Sequence, residues 1–194
     1  MFDVCVVGHV TLDIIRIDEK VEKELPGGTA YYTSIALNSL GLNVAVVTKT
    51  ARKDRDYLLA ELQARGITVF WQGSEQTSVF EEIYQRENLD LRVEKVWAIA
   101  DPFSPKDIAG INTRVFHIGP LTNQDLESDF LASVAQNPPF ISLDAQGLIR
   151  KVTESGEVKN VSWKEKETGL SHVNILKADD REIKILSGED DIKK

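Results

Sequence analysis

Gly27 and Gly28 stand directly before Thr29-Ala30-Tyr31-Tyr32-Thr33-Ser34, a run of mostly small residues, and this junction is where the sequence could first do chemistry. Glycines let a ligand approach the main chain. A helix starting after them turns its first unpaired amides outward, where they can hold hydroxyl or phosphate oxygens. A plain turn is the competing account of such a pair. The second candidate is Asp13, shortly after the apolar run that opens the chain. A carboxylate at a strand end can accept hydrogen bonds from sugar-type hydroxyls, and a capping or turn role stays open for it. His9 shows no partner in the sequence around it, so it is expected to hydrogen-bond within its loop.

These residues need elements to hold them. Phe2–Val7 is a short apolar run ending at Gly8, which suits a central parallel strand whose C-terminal end opens onto a loop, the place where open α/β sheets bind ligands. Residues 12–25 alternate loosely and read as strand, turn, strand. The glycine pair is followed by a helix with Ala30, Ser34, Leu37 and Leu40 at helical spacing, closed by Gly41 as a left-handed cap. A buried strand is expected at 44–48, with Lys49, Arg52 and Lys53 on a solvated loop after it. Asp54 can cap the next helix, whose face carries Tyr57, Leu58 and Leu62 and whose stop is Gly66.

Strands at 67–71, 78–84 and 93–98 then follow one another without a helix, so they are expected to form, with 12–25, a small sheet projecting from the main body. Trp71 and Trp97 would give that sheet an apolar face, or else pack in the core. Alternation returns with a strand at 115–118, a helix at 125–136, a strand at 140–143 ending in Asp144, a strand at 173–176 ending in Lys177 and a helix at 180–186. His117 and His172 read as structural histidines. The pattern implies an α/β fold, a mostly parallel sheet with helices on both faces.

Composition excludes several function classes. The chain has 194 residues, enough for one domain of 1–194, and a net charge of −8 that repels a phosphate backbone, so nucleic acid is not an expected partner. Its single cysteine, Cys5, lies inside the first strand and reads as a small buried residue. No apolar stretch approaches a membrane span, and the start enters a strand without a basic leader, so the expected location is cytoplasmic, with no membrane partner. A dinucleotide-binding oxidoreductase is disfavoured: the first strand leads into Gly8-His9-Val10-Thr11-Leu12-Asp13, which lacks the Gly-x-Gly-x-x-Gly turn.

Taken together, the chain resembles the ribokinase-like (PfkB) family of carbohydrate kinases. Val6-Val7-Gly8-His9-Val10-Thr11-Leu12-Asp13 looks like that family's opening strand and substrate aspartate, and Gly27-Gly28 through Leu40-Gly41 like its first signature. Lys53-Asp54 fits the acidic position soon after it. Asp144-Ala145-Gln146-Gly147-Leu148-Ile149-Arg150 resembles its Asp-x-Asn-x-x-x-Arg-like segment, and Asn174 to Glu182 its Asn-x-x-Glu motif. The resemblance implies a three-layer sandwich with a small β lid built from about 12–25 and 78–98. It also implies transfer of the ATP γ-phosphate to a hydroxyl of a sugar, cyclitol or nucleoside. Asp13, Gly27 and Gly28 would hold the acceptor, Lys177 and Asp179 would lie near the phosphates, and Glu182 would organise Mg2+.

Tyr32 and Gln146 depart from the asparagines common in the family and lean toward its inositol-kinase-like branch; both are expected to line the acceptor site. The family's second signature, a Gly-Ala-Gly-Asp run supplying the general base, finds no match; Ser187-Gly188-Glu189-Asp190 reads as a helix end. The fold is therefore expected to be C-terminally truncated, with no catalytic residue to name and the chain inactive alone. The alternative expectation is a non-catalytic protein that binds a polyol or assembles as a homodimer through the lid strands.

Overall fold

The structure, a computed structural model, describes residues 1–18, 20–136 and 140–189. Among these, the chain alternates strand and helix: β1 (Phe2–Val7), β2 (Thr11–Ile17), β3 (Lys20–Gly27), α1 (Thr29–Ser39), β4 (Val44–Ala51), α2 (Arg55–Ala64) and β5 (Thr68–Ser74). It continues through β6 (Val79–Gln85), β7 (Asn88–Ala98), β8 (Thr113–Ile118), α3 (Phe130–Val134), β9 (Phe140–Asp144), β10 (Arg150–Val152), β11 (Val158–Asn160), α4 (Lys166–Leu170), β12 (Ile175–Lys177) and α5 (Asp180–Ser187).

Six strands form one parallel sheet in the order β12-β9-β8-β1-β4-β5. Its central strands are apolar on both sides because helices cover both faces. On β1 and β4, Val4, Val6, Val44 and Val46 pack with Leu58, Leu59 and Leu62 of α2 and Ala30 and Tyr31 of α1. The alternate residues Cys5, Val7, Ala45 and Val47 pack on the other face with Phe116, Phe130, Leu131 and Leu143. Cys5 is fully buried, and desolvation pushes its thiol up to about 12, an inert core residue.

A second sheet, ordered β3-β2-β6-β7, stands apart from the first. The chain enters it twice. It leaves β1 through Gly8-His9-Val10 into β2 and returns along β3 to the start of α1, and it leaves β5 for β6 and returns from β7 toward β8. Both excursions are closed at their base by paired residues, Thr11 with Gly27 and Val79 with Ala98. A two-stranded hairpin, β10-β11, completes the strands.

Several expectations change here. The strand expected at 67–71 is β5, the edge of the parallel sheet, not part of the projecting one; Trp71 packs against the α2 face and donates its Nε1–H to Thr50 Oγ1 at 2.9 Å. Lys49 lies buried in β4 rather than on a solvated loop, because Asp107 lies 2.7 Å from its ammonium and the Pro102 carbonyl accepts from it at 2.8 Å. The helix expected at 125–136 shrinks to α3, since Asp125 is spent in the preceding loop, accepting from the Leu121 amide at 2.8 Å and from the Thr122 hydroxyl. Leu40 lies exposed past the end of α1, and Tyr31 fills that helix's buried face instead. Asp54 stands at the start of α2, but its carboxylate takes the Thr77 hydroxyl at 2.6 Å rather than a helix amide. Gly188 closes α5 in the left-handed conformation, a helix end as expected, while Asp190 lies outside the described residues.

Candidate acceptor site

Asp13 lies on β2 two residues after Thr11, and so on the same face of that strand. Its Oδ1 accepts the Thr11 hydroxyl at 2.6 Å. Its carboxylate also fills the space where any side chain on Gly27 would go: a β-carbon built there falls 1.7 Å from Oδ2. The residue after it, Gly28, has φ 87° and no room either, with the His9 carbonyl 2.4 Å from a would-be β-carbon. The glycine pair thus has two separate duties, one to admit the carboxylate and one to make the turn into α1. With glycine at its N-cap, α1 begins without a side-chain cap on its first amides.

Burial lifts the Asp13 carboxyl to about 6; Thr11's hydrogen bond opposes this, Glu82 and Glu94 add to it and Arg92 opposes it. Strand register explains those neighbours. Asp13 pairs with Phe80 and so with Val96, and the next rows on the same face are Ile15-Glu82-Glu94 and Ile17-Tyr84-Arg92. Arg92 pairs with Glu82 at 3.0 Å and lies 3.7 Å from Glu94, and the Tyr84 hydroxyl donates to Glu82. Tyr32, on α1, is 54% exposed, which removes it from the core. Burial raises its phenol pKa, and the negative charges of Asp13 and Glu82 add to the shift.

A second group gathers at the C-terminal ends of β9 and β12. Buried Asp144 takes the Lys177 ammonium at 3.0 Å through Oδ2 and the Gln146 amide at 3.2 Å through Oδ1. Burial alone would lower the Lys177 pKa, but Asp144, Glu182 and Asp179 hold it above its ordinary value, leaving a persistent cation at the strand end. A hollow of about 780 Å³ opens elsewhere, between Leu131, Leu148, Trp163 and Thr168, and none of the expected site residues lines it.

No protein-family profile matches the chain, and no curated protein does. Solved structures do. A pyrophosphate-dependent kinase in the ribokinase family, in its sulfate complex, superimposes with a TM-score of 0.88 at 30% identity, covering 98% of this chain and 66% of that one. The chain belongs to the ribokinase family. A structure of a pyrophosphate-dependent kinase in the ribokinase family complexed with a pyrophosphate analog and myo-inositol is similar at TM-score 0.88 and 28% identity, again covering 98% and 66%. Adenosine kinase from Sinorhizobium meliloti shares the fold at TM-score 0.74 and 14% identity, with 99% and 69% covered. The chain thus spans just under two thirds of the length of the two pyrophosphate-dependent kinases, and its α/β architecture with the mostly parallel central sheet is that of the ribokinase-like fold.

For a ribokinase-family chain, the fate of the expected phosphate-side residues is instructive. Asp179 and Glu182 form a capping box at the start of α5: Asp179 Oδ1 accepts from the Arg181 and Glu182 amides at 2.8 and 2.7 Å, and Glu182 Oε2 accepts from the Asp179 amide at 2.7 Å. Among the described residues no three His, Cys, Asp or Glu side chains gather into a metal-ligating group. With Asp179 and Glu182 both engaged by main-chain amides, these residues do not by themselves fit a resident magnesium ion. Among the described residues, too, no helix is long and apolar enough to cross a membrane.

His9 corrects another expectation. It is not a loop hydrogen-bonder but fully buried, stacked on Phe103 with ring centroids 4.5 Å apart, and neither ring nitrogen has a hydrogen-bond partner among the described residues. Burial lowers its pKa, with Asp125 opposing and Lys49 reinforcing the shift. The unfolded chain therefore takes up a proton near the ordinary histidine pKa that the folded chain refuses, so this contribution is whole above about pH 6.5 and lost as the pH falls. His9→Phe is expected to gain on the wild type as the pH falls below that point, by at most about 1.4 kcal/mol per pH unit, measured by denaturant unfolding between pH 7.5 and 5. His117, by contrast, meets the Ser142 hydroxyl at 3.1 Å, the structural role expected of it.

Sequence reasoning missed Glu82, Arg92 and Glu94, and it met Arg150 only as the last residue of the Asp144–Arg150 motif. The alternation of Phe80, Glu82 and Tyr84 was visible, but only the register with β2 puts that set on the face of Asp13.

Proposed function

We propose that this chain carries the acceptor-binding part of a kinase that transfers a phosphoryl group, from pyrophosphate or ATP, to a hydroxyl of a cyclitol such as myo-inositol. The observation that carries this is the Asp13 carboxylate held by Thr11 in the space left open by Gly27, on the same sheet face as the Glu82, Glu94 and Arg92 rows. A ring bearing many hydroxyls can use such a set of paired acceptors and donors. Similarity to kinases solved with myo-inositol supports the acceptor class, and to pyrophosphate-dependent kinases the donor class. In the reaction a hydroxyl oxygen attacks phosphorus in line, the bond to the leaving phosphate or ADP breaks, and the hydroxyl proton passes to solvent water or to the leaving phosphate oxygen. Asp13 orients the attacking ring, the four-stranded sheet acts as the lid that excludes water, and Lys177 offers positive charge to the donor.

Glu82 and Glu94 are engaged by arginines, and the 194 residues contain no match to the family's base-bearing signature. The purified chain is therefore expected to bind myo-inositol in a calorimetric titration while turning it over roughly 10²-fold or more below a complete enzyme with either donor. Failure to bind myo-inositol would overturn this reading. A second reading, assembly through the lid, rests on the opposite face of that sheet, where Val21, Leu91, Val93 and Trp97 are exposed. A dimer in light scattering that Trp97→Lys makes monomeric would favour it.

A further inference from the structure

The lid sheet has a free edge, β7, and the main body reaches out to hold it. The hairpin β10-β11 turns so that the Gly156 carbonyl accepts the Val96 amide at 2.8 Å, and Lys95 forms an isolated antiparallel bridge with Glu157. Val152 and Val158 of the hairpin pack on Phe80 and Val96 of the lid and on Leu121 of the main body. Arg150, the first residue of the hairpin, forms an ion pair with Glu94 in which both side chains are largely buried, at 12% and 15% exposure. Glu94 in turn lies beside Arg92, and Arg92 pairs with Glu82, the two rows that neighbour Asp13. Arg150 also follows directly on the turn that starts at Gln146, beside Asp144 and Lys177.

We propose that Arg150 is a positioning residue for the acceptor: through Glu94 it fastens the free edge of the lid and fixes the charged row over Asp13, tying that row to the Asp144-Lys177 end of the site. A largely buried carboxylate that keeps only an arginine 3.7 Å away is poorly compensated where it stands. Without Arg150, Glu94 must either turn to solvent, lifting β7 from the hairpin, or take Arg92 from Glu82, and either change disturbs the face that meets the acceptor. The acceptor part of this inference rests on the cyclitol reading above; the fastening does not.

The test uses the full 194-residue chain with Arg150→Met, Arg150→Lys and Glu94→Gln, alone and as the Arg150→Met/Glu94→Gln pair. Amide hydrogen exchange in β6 and β7 is expected to speed up roughly tenfold in Arg150→Met while β1 and β4 keep wild-type rates. The affinity for myo-inositol is expected to fall roughly tenfold in each single variant, with the double variant no worse than the weaker single one, and with Arg150→Lys recovering part of the loss. Unchanged exchange in β7, equal acceleration in β1 and β4, or additive losses in the double variant would overturn the proposal. If the wild type binds no myo-inositol, the cyclitol reading falls, and the exchange comparison alone decides whether Arg150 fastens the lid.

Discussion

Replacing Asp13 with asparagine is expected to weaken cyclitol binding by roughly 100-fold and yet make the protein more stable at pH 8. The two effects have one cause. Burial lifts the Asp13 carboxyl from 3.8 to about 6, so the folded chain holds this proton more tightly than the unfolded chain does. Stability from this group is whole below about pH 3.8 and is lost as the pH rises through about 6, which leaves the ionised carboxylate a burden of about 3 kcal/mol at pH 8. Asparagine removes the charge and with it the burden, so the melting temperature should rise by several degrees. Binding by wild type should improve as the pH rises through about 6, whereas the variant should bind weakly and without that dependence. Calorimetric titration and thermal melts at pH 5 and pH 8 read both effects. A variant that lost stability and affinity together would mark Asp13 as a structural residue instead.

The second large effect separates two adjacent glycines. Alanine at position 27 is expected to weaken binding about as far as Asp13→Asn does, because its β-carbon occupies the carboxylate's place, 1.7 Å from Oδ2. The backbone at Gly27 suits any residue, and the group that must move is a single side chain that can swing toward solvent, so the fold should survive. Alanine at position 28 meets a different obstacle, the main-chain carbonyl of His9 at 2.4 Å, and a φ of 87° that a side chain tolerates poorly. That change is expected to cost more than about 2 kcal/mol of stability, reading out in denaturant midpoints rather than in affinity alone. Equal behaviour of the two variants would contradict the division of duties between the glycines.

Much of this was legible in the sequence, for reasons tied to particular residues. The apolar run ending at Gly8 and the glycine pair before a small-residue helix carry local signals that tertiary structure did not override, and β1 and α1 lie where those signals put them. The strand at Thr68–Ser74 was visible as a strand, but nothing local says which sheet it joins, since that depends on pairing with β4. Lys49 defeated a composition argument: a charge looks solvated until Asp107, distant in sequence, arrives to pair with it. His9 was misjudged because burial by Phe103 is a long-range fact. The charged row on the lid was hidden for the same reason, since facing Asp13 is a property of register and not of spacing within either strand.

The closure of both lid excursions at their base has an evolutionary consequence. Thr11 with Gly27 and Val79 with Ala98 are paired neighbours, so each excursion leaves and rejoins the main body at almost one point. Lengthening, shortening or grafting the far end of either hairpin changes what lies above the proposed acceptor site without moving those anchor points, and added loop length costs little. Asp13 lies only two residues beyond the first anchor, on the fixed side of any such exchange. A lineage could therefore trade one acceptor for another by swapping hairpin tips while inheriting the same aspartate unchanged.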